Sequence, residues 1–134
     1  MQTIKFNRLN LSNEDFLLDM GCGEGRHSIG AHISTEANIL GFDLSFKDLK
    51  IAKERLNDFD TSQIETICQF ASANIISIPL SDSSLDAVIC SEVLEHVDSP
   101  EESIKELIRV LKPGGVLALS VPRYLPELIC WKLS

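Results

Sequence analysis

Three glycines spaced by single residues follow a short apolar run that contains an aspartate: Phe16-Leu17-Leu18-Asp19-Met20, then Gly21-Cys22-Gly23-Glu24-Gly25. Glycine lacks a Cβ, so such a loop can turn tightly and bring its backbone close to a ligand. The spacing is G-x-G-x-G, with Arg26 next, rather than the G-x-G-x-x-G of dinucleotide folds. A tight structural turn is the competing reading; the preceding Asp19 and the downstream motifs favour a ligand loop. A second acid, Asp43, ends a second apolar run in Gly41-Phe42-Asp43-Leu44-Ser45. A carboxylate one strand-helix unit after a glycine loop can accept hydrogen bonds from both hydroxyls of a ribose. The bland alternative is a turn or cap residue. The third constellation is Glu92-Val93-Leu94-Glu95-His96. On a helix, Glu92, Glu95 and His96 share a face. Such a carboxylate-imidazole set can hold a divalent ion, and Glu92 or His96 can serve as a general base. Structural hydrogen bonds are the reading preferred to a metal site, so no metal is expected.

These residues need elements to position them. Short apolar runs at Phe16 to Met20, Asn38 to Phe42, Thr66 to Ala71, Leu85 to Cys90 and Val116 to Val121 read as strands of a parallel sheet covered on both faces. Helical patterns lie between them. Ser45 is placed to cap a helix with Leu49, Ala52 and Leu56 on one face. Ser99-Pro100-Glu101-Glu102 is a stronger start, with a Ser cap, Pro at the first position and a capping-box Glu. Ile104, Leu107, Ile108 and Leu111 follow at helical spacing, and Lys112-Pro113-Gly114-Gly115 ends that helix. Alternating strands and helices predict a doubly wound α/β sheet, with ligands at the carboxyl ends of its strands. The glycine loop and Asp43 both sit there.

Bulk properties narrow the partners. One domain of 134 residues with 24% charged residues and net charge −8 is a poor match to nucleic acid, which needs clustered Lys and Arg. No apolar run is long enough to span a bilayer. The first residues, Met1-Gln2-Thr3-Ile4-Lys5, carry no signal-peptide pattern, so the expected compartment is the cytoplasm. Cys22, Cys68, Cys90 and Cys130 form no metal-type spacing and read as reduced thiols. His32 reads as a surface residue, Arg26 and His27 as a solvated helix end, and Glu101, Glu102 and Glu106 as a solvated helix face.

The segments LDMGCGEGRH, GFDLS, SDSSLDAVICSEVLEHV and LIRVLKPGGVLALSVP together resemble the class I S-adenosylmethionine-dependent methyltransferases, specifically the type 11 group. The resemblance covers roughly residues 9 to 123. It implies a Rossmann-like sheet of order 3-2-1-4-5 and S-adenosylmethionine as cofactor, with S-adenosylhomocysteine as product. Asp19 and Gly21 match positions near the methionine part, and Cys22, Gly23 and Gly25 complete that loop. Asp43 matches the ribose acid and Leu44 the residue packed on adenine. Asn74 and Ile75 fall at the adenine edge, where the family often has an acid in place of Asn74. Ser91 and Glu92 match the loop beside the sulfonium and substrate. The E-x-x-E-H string also resembles metal sites in some RNA and ubiquinone-pathway methyltransferases, but no later His is present to complete the RNA-type set.

The family sheet has seven strands, and this chain runs to just past the fifth. A truncated fragment lacking the last two strands is therefore expected, with the fifth strand an unprotected edge that the apolar tail Tyr124 to Leu133 covers or that pairs with a second chain, so that a homodimer forms through the exposed fifth strand or the tail. The expected function is methyl transfer to a small-molecule acceptor. The alternative is a non-catalytic cofactor-binding module or inactive fragment that works through a partner chain. A nicotinamide oxidoreductase is disfavoured by the loop spacing and by the lack of a Tyr-x-x-x-Lys, since Leu128 stands four residues after Tyr124.

Overall fold

The apolar runs become five parallel strands: β1 (Phe16–Met20), β2 (Asn38–Asp43), β3 (Cys68–Ser72), β4 (Leu85–Cys90) and β5 (Leu111–Ser120). The computed structural model describes residues 6–9, 11–91, 93–120 and 128–132. The strands lie in the order β3-β2-β1-β4-β5, and a sixth, β6 (Leu128–Lys132), pairs antiparallel with β5. The register runs from Val116 opposite Lys132 to Ser120 opposite Leu128. The tail thus covers the fifth strand, as one of the two expectations had it. A second copy has no free β5 edge to join along this register, which corrects the homodimer route through an exposed fifth strand.

Alternation along the central strands builds two cores. Leu18, Met20, Val88, Cys90, Leu117 and Leu119 point to one face, and Leu17, Ile39, Ala87, Ile89, Val116 and Ala118 to the other. The first face is covered by Leu107 and Val110 of α3 (Pro100–Val110) and by Ile75 and Ile78 of the β3–β4 connection. The second is covered by Phe6 and Leu9 of a 3-10 turn and by Ala31 of α1 (Arg26–Ser34). α2 (Phe46–Asn57) adds Leu49 and Ala52 to a third cluster with Ile29, Cys22 and Phe70. Strands buried on both faces explain the nearly unbroken apolar runs. No helix among the described residues is long and apolar enough to cross a membrane.

Several local expectations change. β5 starts at Leu111, opposite Leu85, and the register then jumps so that Ala87 faces Val116. Lys112-Pro113-Gly114-Gly115 is therefore an irregularity inside the strand, with Gly114 at φ +82°, rather than a separate stop signal. The Ser45 side chain caps α2, accepting from the Asp48 N–H at 3.2 Å. Ser99 precedes α3 as expected, but its side chain makes no cap bond. Instead, the Ser103 hydroxyl donates to the Ser99 carbonyl at 2.9 Å. The buried stripe of α3 is Ser103, Leu107 and Val110. Ile108, a step of about 100° around the helix from Leu107, is exposed.

Candidate functional site

β1 and β2 deliver the glycine loop and Asp43 side by side, because Met20 pairs with Phe42. The N–H groups of Gly21 and Cys22 both donate to the Phe42 carbonyl, at 2.7 and 2.9 Å. The Asp43 carboxylate then fastens two loops at once. Its Oδ2 accepts from the Gly23 N–H at 2.8 Å, and its Oδ1 from the Ser45 N–H at 2.9 Å. A carboxylate offers about four lone-pair sites, so each oxygen keeps accepting capacity beyond these two bonds.

Gly21, Gly23 and Gly25 all have positive φ, the region in which a Cβ is strained. Gly21 is also crowded: a Cβ there would lie 2.2 Å from Cγ2 of Val93. Gly23 is the opposite case, with nothing within 4 Å of an added Cβ. The loop is therefore braced at Gly21 and open at Gly23. Cys22 contributes to the bracing. Its side chain is buried, its carbonyl accepts from the Gly25 N–H at 2.9 Å, and burial pushes its thiol far up from the ordinary range. Burial raises the Cys68 and Cys90 thiols too, to about 12, and all three are free cysteines.

Asp19 lies beneath the loop rather than on it. It is 1% exposed, and its Oδ2 accepts from the Ser28 hydroxyl of α1 at 2.7 Å. Burial raises its pKa to about 6, against the opposing hydrogen bond from Ser28. The folded state therefore binds a proton more tightly than the unfolded state does. Asp19 adds stability below its unfolded pKa, and that stability is lost as pH rises through about 6. A shift of this size corresponds to about 3 kcal/mol. Asp19→Asn, whose amide oxygen can still accept from Ser28, is expected to be more stable than the wild type at pH 7 to 8. The advantage should close as pH falls from about 6 to about 4 in paired thermal melts. A constant difference across that range would refute the buried charge.

His27 and His32 are both buried, which corrects the expectation of a solvated helix end and a surface residue. Ser28, Ile29 and Ala31 of α1 are buried as well, and the helix packs on β2 and β3. Burial lowers the pKa of both, His27 to about 4 with Arg26 adding to the effect. Arg26 itself remains exposed. Glu106 is also not a free solvated group: it accepts from Arg109 and from the Ile78 N–H.

The remaining site residues spread along the strand ends. Leu44 is 62% exposed and Phe46 76% exposed, an apolar pair beside Asp43 of which the sequence reading missed Phe46. Asn74 is exposed, and its Oδ1 accepts from the Ile76 N–H at 3.2 Å. Its side-chain amide N–H groups are left available for a ligand. Ile75 is buried in the core, so only its backbone is available to a ligand. Ser91 follows β4 and is partly buried. Glu92 lies outside the described residues. Leu94–His96 form one 3-10 turn rather than an α-helix, so the α-helical spacing assumed for Glu95 and His96 does not apply. Their side chains approach at 3.6 Å, with His96 largely exposed. Among the described residues, no group of three or more His, Cys, Asp or Glu is arranged to hold a metal ion. A shallow depression lined by Phe6, Leu11, Thr35 and Glu36 lies at the opposite end of the sheet, before β1 and β2.

Comparison with known proteins agrees with this geometry. Residues 18–119 match the family described as Methyltransferase domain. The 27-O-demethylrifamycin SV methyltransferase of Amycolatopsis mediterranei is 33% identical over 111 residues, covering 83% of this chain and 40% of that protein. The demethylmenaquinone methyltransferase of Listeria welshimeri is 31% identical over 133 residues, covering 98% of this chain and 53% of that protein. The crystal structure of the [4+2]-cyclase SpnF superimposes with a TM-score of 0.76 at 28% identity, covering 84% of this chain and 40% of that one. The chain thus spans about half or less of the length of these proteins. With a glycine loop tied to an acid at the end of β2, the strand order β3-β2-β1-β4-β5 and a match that runs from β1 to β5, the chain belongs to the S-adenosylmethionine-dependent methyltransferase domain family.

Proposed function

We propose that the chain binds S-adenosylmethionine across the glycine loop and Asp43, and directs its methyl group to a small-molecule acceptor. One observation carries the reading: Asp43 is held by the Gly23 and Ser45 N–H groups at 2.8 and 2.9 Å, with accepting capacity left on both oxygens and open space over Gly23. That arrangement suits a ribose with two adjacent hydroxyls. In this reading Leu44 supplies an apolar surface to adenine, and Asn74 and the backbone of Ile75 meet its polar edge. Gly21, Gly23 and Gly25 give the methionine part its close approach, with Cys22 and Asp19 bracing the loop from below. Ser91 lies toward the sulfonium.

When bound, the cofactor supplies a methyl carbon already activated by a positively charged sulfur. The protein's share is then orientation and proximity, which account for much of the barrier reduction in such displacements. Where the acceptor must lose a proton, Glu92 and His96, which follow β4 in the chain, are the proposed bases. The rifamycin and menaquinone enzymes support a small-molecule acceptor, and the net charge of −8 argues against nucleic acid. A second reading, a cofactor-binding module that acts through a partner chain, draws on a neighbour of this fold solved as a complex with the Haloferax volcanii Trm112 methyltransferase activator.

Ligand-induced stabilisation tests the proposal. S-adenosylhomocysteine at about 100 times its Kd adds about 2.7 kcal/mol to the folded state, so the melting temperature is expected to rise by several degrees. NAD at the same concentration should leave it unchanged. Equal shifts with both ligands, or none with either, would count against the proposal.

A further inference from the structure

The β3–β4 connection bears Asn74 and Ile75, yet it belongs to no helix or strand of its own. Its upstream end is fixed by the Ala73 N–H, which donates to the Asp43 carbonyl at 3.2 Å. Asn74 then closes a small turn on Ser77, whose N–H donates to the Asn74 carbonyl at 3.0 Å. The downstream end meets α3. There the Ile78 N–H donates to Oε2 of Glu106 at 2.7 Å, and the Ile78 carbonyl accepts from Nη2 of Arg109 at 2.9 Å.

Arg109 commits every donor it has. A guanidinium carries five N–H groups in a fixed fork. Nε and Nη2 donate to Glu106 at 2.6 and 3.1 Å, Nη2 donates again to Ile78, and Nη1 donates to the Leu80 carbonyl and to Asp82 at 2.9 and 2.7 Å. Two of the five bonds end on backbone carbonyls of the connection and one on its Asp82 side chain. The Ser83 and Ser84 N–H groups donate to the carbonyls of Arg109 and Val110, both at 2.9 Å, extending the same seam. Glu106 is placed to receive both Arg109 and Ile78, and the arginine holds its carboxyl below the ordinary range. Ile75, Ile78 and Leu80 pack under the connection against the core that includes Leu107 and Val110.

We propose that Glu106 and Arg109 are positioning residues for adenine recognition: they clamp the downstream end of the Asn74–Ser77 turn and so fix Asn74 against the Asp43 loop. The proposal rests on the cofactor reading given above. Neither residue touches the ligand, and their effect passes through the backbone of Ile78. Arg109→Lys would not preserve the clamp, because an ammonium has three donors and no fork.

The test compares two ligands that differ only at the adenine edge. In S-inosylhomocysteine the exocyclic amine of S-adenosylhomocysteine is replaced by a carbonyl and N1 carries a proton, so the ring nitrogen that can accept from the Asn74 amide in adenine becomes a donor facing a donor. Wild-type protein is expected to prefer the adenosyl compound by roughly tenfold or more, the usual effect of one mismatched polar contact. Arg109→Ala is expected to reduce that preference to within about threefold, because an unclamped turn no longer presents Asn74 in one geometry. Asp82→Ala removes a largely exposed partner and leaves Ile78 held, so it should discriminate as the wild type does. If Arg109→Ala does not fold, Glu106→Ala carries the same comparison, since it removes the acceptor of the Ile78 N–H and the partner of Arg109. A preference retained in the variant, with both affinities unchanged or lowered together, would overturn the proposal. A wild-type protein that binds neither compound would instead overturn the cofactor reading beneath it.

Discussion

Asp43→Ala is expected to lower the affinity for S-adenosylhomocysteine by at least about 100-fold. The carboxylate would accept two charge-assisted hydrogen bonds from the ribose, at about 1.5–3 kcal/mol each, and together these correspond to roughly 100- to 10,000-fold in Kd. The same carboxylate holds the Gly23 and Ser45 N–H groups, so the substitution also frees the glycine loop and the start of α2. Asp43→Asn separates the two effects. It keeps one oxygen but places an amide NH2 against one of the two N–H donors, so it should lose most of the affinity with a smaller change in melting temperature. Near wild-type affinity in both variants would remove Asp43 from the ribose role.

Gly21→Ala is expected to cost the fold about 2–5 kcal/mol. A residue with a Cβ at φ +78° carries about 1–2 kcal/mol of backbone strain. Its methyl group would also lie 2.2 Å from Cγ2 of Val93, and overpacking of this kind costs about 1–3 kcal/mol. For a domain of this size the melting temperature should drop by roughly 10 °C. The two causes can be separated by a double-mutant cycle. Val93→Ala in the Gly21→Ala background should recover the packing part and leave the backbone part. No recovery in the double variant would mean that Val93 is not the neighbour that confines Gly21.

Much of this was legible in the sequence, and the reasons are physical. β1 and β4 fell at the boundaries their apolar runs marked, because strands covered on both faces must be apolar throughout. The link between the glycine loop and Asp43 followed from topology, since parallel neighbours bring consecutive strand ends together. The interior of α1 was harder to read. His27 and His32 are polar by type, and nothing local says that both are buried when the helix packs on the sheet. Asp19 was marked as functional, but its partner Ser28 carries no signal as a lone serine inside a helix. Glu106 was read as part of a solvated helix face, and Arg109 drew no reading of its own. What the sequence could not reveal is that the two pair and turn inward to hold Ile78 and Leu80, contacts 28 to 31 residues distant along the chain. The same limit explains β5, whose strand runs through Pro113 and Gly114 by way of a register jump rather than starting after them.

The central claim is that the glycine loop and Asp43 form a working S-adenosylmethionine site in this chain. Calorimetric titration of the purified chain with S-adenosylhomocysteine tests it most directly, with NAD and the Asp43→Ala variant as controls. Saturable binding of one S-adenosylhomocysteine per chain is expected, abolished by Asp43→Ala, with no heat from NAD. Absence of binding by the folded wild type, or binding that Asp43→Ala leaves intact, would contradict it.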